Sequence, residues 1–147
     1  MLHLLKNTLL LTSLALSAAL LPSCAGTGEG SPGAESSSPA MQGEWLVSEI
    51  EGKRMVGDTE VVLTFGPDGS FSADSGVNRL RASYTVDGAA LQFSEMLATR
   101  MAGPPELMEQ ESRLMAALEA AQGSSVEGDR LRLMDGGGEV LLVSRRR

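Results

Sequence analysis

Between Val61 and Phe93 the chain alternates. Apolar side chains recur at every second position in VVLTF (Val61–Phe65), SFSA (Ser70–Ala73), ASYTV (Ala82–Val86) and again in Ala89–Phe93. That period turns one side of each run to a core and the other to water, which is the pattern of a β-strand. Turn residues separate the runs. Gly66-Pro67-Asp68-Gly69 joins a proline that presets φ to a glycine that accepts positive φ, and Asp87-Gly88 is a two-residue hairpin signal. One junction is different: between Ala73 and Ala82 lies a polar crossing that contains Gly76, Asn78, Arg79 and Arg81.

The flanks extend the pattern. Glu44–Ile50 reads as a strand with Trp45 and Val47 on one face, followed by a turn at Glu51-Gly52-Lys53. After Phe93 the period changes. Pro104-Pro105 suits a first helical turn, and Glu106, Glu109 and Glu111 complement the positive end of the helix dipole. Leu107, Leu114, Met115, Leu118 and Ala121 fall at helical spacing, and Gln122-Gly123 is expected to close the helix. Ser125–Glu127, Arg130–Met134 and Glu139–Val143 form a second meander that ends in Arg145-Arg146-Arg147. Strands and helices do not alternate, which argues against a parallel sheet. The expected fold class is α+β: an antiparallel sheet of about eight strands curled into a small barrel, with one helix between strands 5 and 6. Closure would leave no exposed edges. Phe65, Phe71, Leu91 and Phe93 are expected to point inward.

Residues 1–23 do not belong to this domain. Lys6 and the free amine make a short positive segment, and Leu9–Leu21 is an apolar run too short to span a bilayer, as in a signal peptide. It ends at Leu21-Pro22-Ser23-Cys24, which looks like a bacterial lipobox, and Cys24 is the chain's one cysteine. Thioether attachment of diacylglycerol needs that thiol. Acyl chains bury about 0.8 kcal/mol per CH₂, so several would anchor the protein almost permanently. Residues 24–42 comprise the lipidated cysteine and a segment of Gly, Ser, Pro, Ala and Glu that reads as a flexible linker. The domain then spans 43–147. The expected location is the cell envelope; in a Gram-negative host, Ala25 after Cys24 is compatible with an outer-membrane protein facing the periplasm.

Composition narrows the chemistry. Removal of residues 1–23 takes Lys6 from the twelve Lys and Arg, leaving eleven against 19 Asp and Glu. Nucleic acid is an unsuitable partner for that balance. The single histidine, His3, leaves with the leader, so His-based nucleophile–base pairs and the best zinc ligands are missing from the mature chain. No catalysis, metal or cofactor is expected. A pair of carboxylates is the remaining enzymatic option.

Further residues set a resemblance. Asp68-Gly69-Ser70-Phe71, Gly76-Val77-Asn78-Arg79 and Ala82-Ser83-Tyr84 resemble the first half of the META domain motif. Leu97-Ala98-Thr99-Arg100-Met101-Ala102, Pro105-Glu106 and the helix resemble its second half, and Gly128-Asp129, Leu131, Leu133 and Val140-Leu141-Leu142 its closing hairpin. The match covers Gly43–Val143 in the family's order. That family includes HslJ-like bacterial lipoproteins of poorly defined function, similar in fold to small pilotin-type barrels. Many members place two pairable cysteines where this chain has Val77 and Gly103, so the resemblance implies that these positions face each other.

Asn78, Arg79, Thr99 and Arg100 are the candidate binding residues, with a structural reading beside the functional one. Asn78 would accept left-handed φ in a turn, Arg79 or Arg100 would brace loops through backbone carbonyls, and Thr99 would cap the turn before the helix. Met96, Met101, Met108, Met115 and Met134 would fill core space or line an adaptable apolar pocket. Arg145–Arg147 would be a solvated terminus or touch anionic headgroups. The resulting expectation is a monomeric, non-catalytic accessory or binding lipoprotein of envelope stress or maintenance. Its partners would be the membrane through Cys24 and an envelope protein or apolar ligand. The alternatives are a pilotin-like carrier of lipid or apolar peptide, and a carboxylate-dependent hydrolase.

Overall fold

The computed structural model describes residues 38–147; the expected leader, Cys24 and all but the end of the linker lie outside the described residues. The elements are β1 (Gly43–Ile50), β2 (Lys53–Arg54), β3 (Val62–Phe65), β4 (Ser70–Asp74), β5 (Arg79–Asp87), β6 (Ala90–Phe93), β7 (Leu97–Ala98), α1 (Pro105–Ala120), β8 (Gly123–Glu127), β9 (Arg130–Met134) and β10 (Val140–Arg146). Eight longer strands pair antiparallel in the order β10-β9-β8-β6-β5-β4-β3-β1, and β10 pairs back onto β1. The sheet is a closed barrel, and the helix follows the fifth of its long strands. This is the α+β barrel expected of the sequence. The two-residue strands β2, on β1, and β7, on β5, are additions to it.

Closure is uneven. Along most seams the registers run for four or five residues, as in Phe65↔Phe71 to Val62↔Asp74 between β3 and β4. β6 and β8 meet at the single register pair Ala90↔Gly123. Leu91 N donates to Gln122 O at 3.0 Å and Ser124 N to Ala89 O at 2.8 Å on either side of that pair.

Alternation explains the core. Trp45, Leu63, Phe65, Leu80, Tyr84, Leu91, Leu131 and Leu133 are fully buried, and Leu114 and Leu118 of α1 join them. The Phe65 ring sits 5.0 Å from Phe71 and 5.0 Å, edge-on, from Tyr84. Such aromatic pairs add about 0.5–1.5 kcal/mol beyond area burial. Phe93 packs 4.7 Å from Phe71 while staying half-exposed, so it closes the cluster at its margin and is not fully inward.

One expectation fails at a chain reversal. Gly123 does not end the helix. The last helical residue is Ala120, Ala121 is already extended at ψ 124°, and Gln122 N donates to Met134 O at 2.8 Å. Pairing with β9 therefore stops the helix, and Gly123 is the first residue of β8. The terminal arginines are exposed, as expected of a solvated terminus, and Arg146 and Arg147 also make specific contacts. Arg145 and Arg146 belong to β10. The Arg146 guanidinium lies 4.4 Å from the Trp45 ring centroid and donates to the carbonyls of Ala40 (2.9 Å) and Gln42 (3.0 Å). Arg147 pairs with Glu60 at 3.2 Å and Glu44 at 3.8 Å.

Candidate functional site

The polar crossing between β4 and β5 is the place where the helix meets the barrel through hydrogen bonds. Ser75 N donates to Asn78 O at 2.9 Å, closing a tight turn. Gly76 takes the left-handed conformation that this turn needs, at φ 84°. Asn78 itself is not left-handed, contrary to expectation. Its task is carried by the side chain, which is 2 % exposed.

All four hydrogen-bonding positions of the Asn78 amide are used. Oδ1 accepts from Thr99 Oγ1 at 2.7 Å and from Met101 N at 2.7 Å. Nδ2 donates to Met101 O at 3.1 Å and to the Glu111 carboxylate at 2.9 and 3.1 Å. Ser75 Oγ donates to Glu111 Oε2 at 2.6 Å and accepts from Asn78 N at 2.9 Å. Thr99 Oγ1 also accepts from Arg79 N at 3.1 Å. Thr99 is thus a bridge between β5 and the β7 loop. It does not cap α1, whose N-cap is Pro104 without a side-chain cap bond.

Glu111 is 6 % exposed and takes part in none of the ion pairs found among the described residues. Its charge is met by neutral donors alone. By sequence this residue is a dipole partner at the start of the helix; the structure buries it. The signal was present: Glu111 lies four residues after Leu107 and three before Leu114, inside the apolar stripe of α1. Ser75, 1 % exposed, was missed as well.

Over this junction lies a groove of about 580 Å³ between the β7 loop and α1. Met96, Leu97, Met101, Met108 and Met115 line it, with Asn78 and Glu111 also among its walls. Leu97 and Met101 are 68 % and 63 % exposed, the two largest exposures of big apolar side chains among the described residues. Four of the five methionines singled out from sequence converge here. Met134 is elsewhere, against Gly123. The barrel interior is filled by the aromatic and leucine side chains named above, so the apolar space open to a ligand at this site is outside the barrel, beside the helix.

Of the candidate residues, the structure brings Asn78, Thr99 and Arg100 to one groove. Arg79 is separate. Its side chain is exposed, lies 3.6 Å from Asp74, and lines a polar concavity with Glu44, Glu60 and Arg147. It braces no loop through its guanidinium; its backbone does so, Thr99 N donating to Arg79 O at 3.1 Å. Cys24 lies outside the described residues. Val77 and Gly103 do face each other: a Cβ on Gly103 would lie 3.5 Å from Val77 Cβ. Among the described residues no group of three or more His, Cys, Asp or Glu is placed to hold a metal ion.

The family model described as META domain matches residues 38–147. A protein from Burkholderia xenovorans solved by NMR has a similar fold, with 22 % identity and a TM-score of 0.58 over 80 % of this chain and 97 % of that one. A second NMR structure is similar at 20 % identity and a TM-score of 0.57, over 71 % of this chain and 88 % of its own. No curated protein matches this chain.

Proposed function

This chain belongs to the META domain family, and we propose from that premise that it is a non-catalytic binding module of the cell envelope. Cys24 tethers it to the membrane, and the groove between the β7 loop and α1 receives an apolar peptide segment of an envelope protein. The observation that carries the reading is the exposure of Leu97 and Met101 over a groove with further methionine walls. Methionine is unbranched and polarizable, so such walls adapt to varied apolar side chains. Glu95 and Arg100 among the lining residues favour a peptide, which has polar groups of its own, over a bare acyl chain. A non-catalytic role is supported by Glu111: both of its oxygens already accept hydrogen bonds from Ser75 and Asn78.

The test is site-specific photo-crosslinking in intact cells, with the reactive residue at position 97 or, as a control, at Asp129 in the β8–β9 turn. The expected result is a discrete protein adduct from position 97 only. Equal adducts from both positions, or loss of an adduct to lipid extraction, would overturn the peptide reading. The tether is tested separately: in high salt, which leaves a lipid anchor in place, Cys24→Ala should release the protein from the membrane fraction.

A further inference from the structure

The outer face of the barrel at β1, β9 and β10 carries a second concavity, of about 470 Å³, distinct from the groove. Arg54, Arg130, Arg132 and Arg145 line it, with Glu49 as the one carboxylate among its lining residues. Four guanidinium groups thus gather at one place on a chain of net charge −7. One of them, Arg132, is paired, to Glu127 at 3.0 Å. The strand registers set the others. Arg54 lies opposite Glu49, and Arg132 opposite Val143. Arg130 lies directly opposite Arg145. Like charges at directly opposed positions destabilise a sheet. On the other side of Arg130 stands Glu127 of β8, which also pairs with Arg132, so two carboxylates, Glu127 and Glu49, serve four guanidinium groups and an external anion would complete the balance.

We propose that this face is an electrostatic docking surface for the anionic phospholipid headgroups of the membrane that holds the anchor. Guanidinium groups bind phosphate oxygens through paired N–H donors, and several converging forks hold a headgroup better than one. The route of the chain favours a membrane over an acidic protein. The segment that leads back to Cys24 meets the barrel at the end of a strand that carries this face: Arg146, one position beyond Arg145 on β10, holds the carbonyls of Ala40 and Gln42. Ser38 is fourteen residues from Cys24, a separation of at most about 50 Å even fully extended. A barrel tethered so closely stays at high local concentration over the headgroups, so weak contacts suffice to orient it. The inference rests on the anchored reading, but its surface binds without the anchor and is tested without it.

The experiment uses the chain from residue 24 onward carrying Cys24→Ser, sedimented with vesicles of phosphatidylcholine alone or mixed with phosphatidylglycerol. Binding should require phosphatidylglycerol and weaken with salt. Each arginine at an anionic surface contributes about five-fold in affinity, so Arg130→Gln with Arg145→Gln should lower binding by roughly twenty-five-fold. Arg79→Gln with Arg81→Gln, which removes the same charge from the other side of the sheet's register, should leave it nearly unchanged. The thermal midpoint of the first pair should be nearly unchanged, because relief of the Arg130–Arg145 pair offsets the loss of Arg130 opposite Glu127. Equal binding to both vesicle types, no binding to either, equal losses from the two double variants, or a lowered midpoint would overturn the proposal. Binding to polyglutamate without binding to vesicles would also overturn it, in favour of an acidic protein. Release of the intact protein by Cys24→Ala in high salt, where the arginine face no longer holds, bears on the anchor alone, so the two readings fail separately.

Discussion

The barrel interior around Phe65 and the junction around Asn78 are both shut off from water, yet they are built on opposite principles. Around Phe65 the contacts are between apolar rings and aliphatic side chains, and no direction is imposed on them beyond close packing. Around Asn78 each contact is a directed hydrogen bond, ending on a carboxylate that meets no cation among the described residues. The first region tolerates a change of shape that keeps volume. The second tolerates almost no change of chemistry, since a lost partner strands a buried polar group. The difference teaches why the helix sits where it does. Leu114, Ala117 and Leu118 bury it, and Glu111 fixes its position against Ser75 and Asn78.

The largest effect expected is a gain. Val77→Cys with Gly103→Cys places sulfurs on carbons that stand about as far apart as a disulfide requires. Closing that loop should stabilise the oxidised protein by about 3.5 kcal/mol over the reduced form, read from denaturant midpoints. A failure to oxidise, or a loss of stability on oxidation, would show that the junction does not hold these two loops together. Next comes a direct contrast. Asn78→Leu, close in volume, should cost about 3 kcal/mol because it leaves Glu111 Oε1 and the Met101 backbone groups without the partners Asn78 supplies, while Ser75 still serves Glu111 Oε2. Leu63→Met, also close in volume, should cost less than about 1.5 kcal/mol in the core. Equal costs would erase the distinction between the regions. Glu111→Gln keeps the shape and turns one acceptor into a donor facing Ser75 or Asn78, for an expected loss of about 2 kcal/mol.

The smallest effect lies outside both regions, in the β3–β4 turn. There Asp68 Oδ1 accepts from Ser70 Oγ at 2.6 Å and Ser70 N at 3.1 Å. The side-chain bond first, and the backbone bond second, hold the Asp68 carboxyl below its ordinary pKa. A carboxyl lowered by folding stabilises the native state above its unfolded pKa near 4, and that contribution is lost as pH falls through the folded value. Ser70→Ala should therefore raise the Asp68 pKa in an NMR titration and flatten the acid limb of stability slightly. An unmoved pKa would contradict the role of Ser70.

Much of this was legible in the sequence, because a strict two-residue period has one physical meaning. VVLTF and SFSA place Leu63, Phe65 and Phe71 inward, and the structure buries all three. The facing of Val77 and Gly103 was implied by resemblance, and the geometry bears it out. The polar junction was legible in part. Asn78 and Thr99 were singled out, but their partner Glu111 sits in a helix whose first turns also contain Glu106 and Glu109. One carboxylate among several near a helix N-terminus looks like dipole compensation. Its position within the Leu107–Leu114 stripe distinguishes it, and that reading requires trusting an acid on an apolar face. The helix end was misread because Gly123 is the usual stop, whereas tertiary pairing of Gln122 with Met134 ended the helix first. Arg146 is exposed, as expected, but its contacts were not legible, because nothing local marks a residue whose partners, Trp45, Ala40 and Gln42, lie about a hundred positions earlier.

The central claim is that the junction holds the fold and the groove above it does the binding, so the two should separate in one variant. Met101→Asp puts a charge on a side chain that is 63 % exposed at the groove, while the Met101 backbone keeps its bonds to Asn78. The measurement is the yield of the position-97 crosslink in cells carrying Met101→Asp, taken with the thermal midpoint of the purified protein. The account predicts an unchanged midpoint and a lost adduct. A full adduct in the stable variant would contradict it.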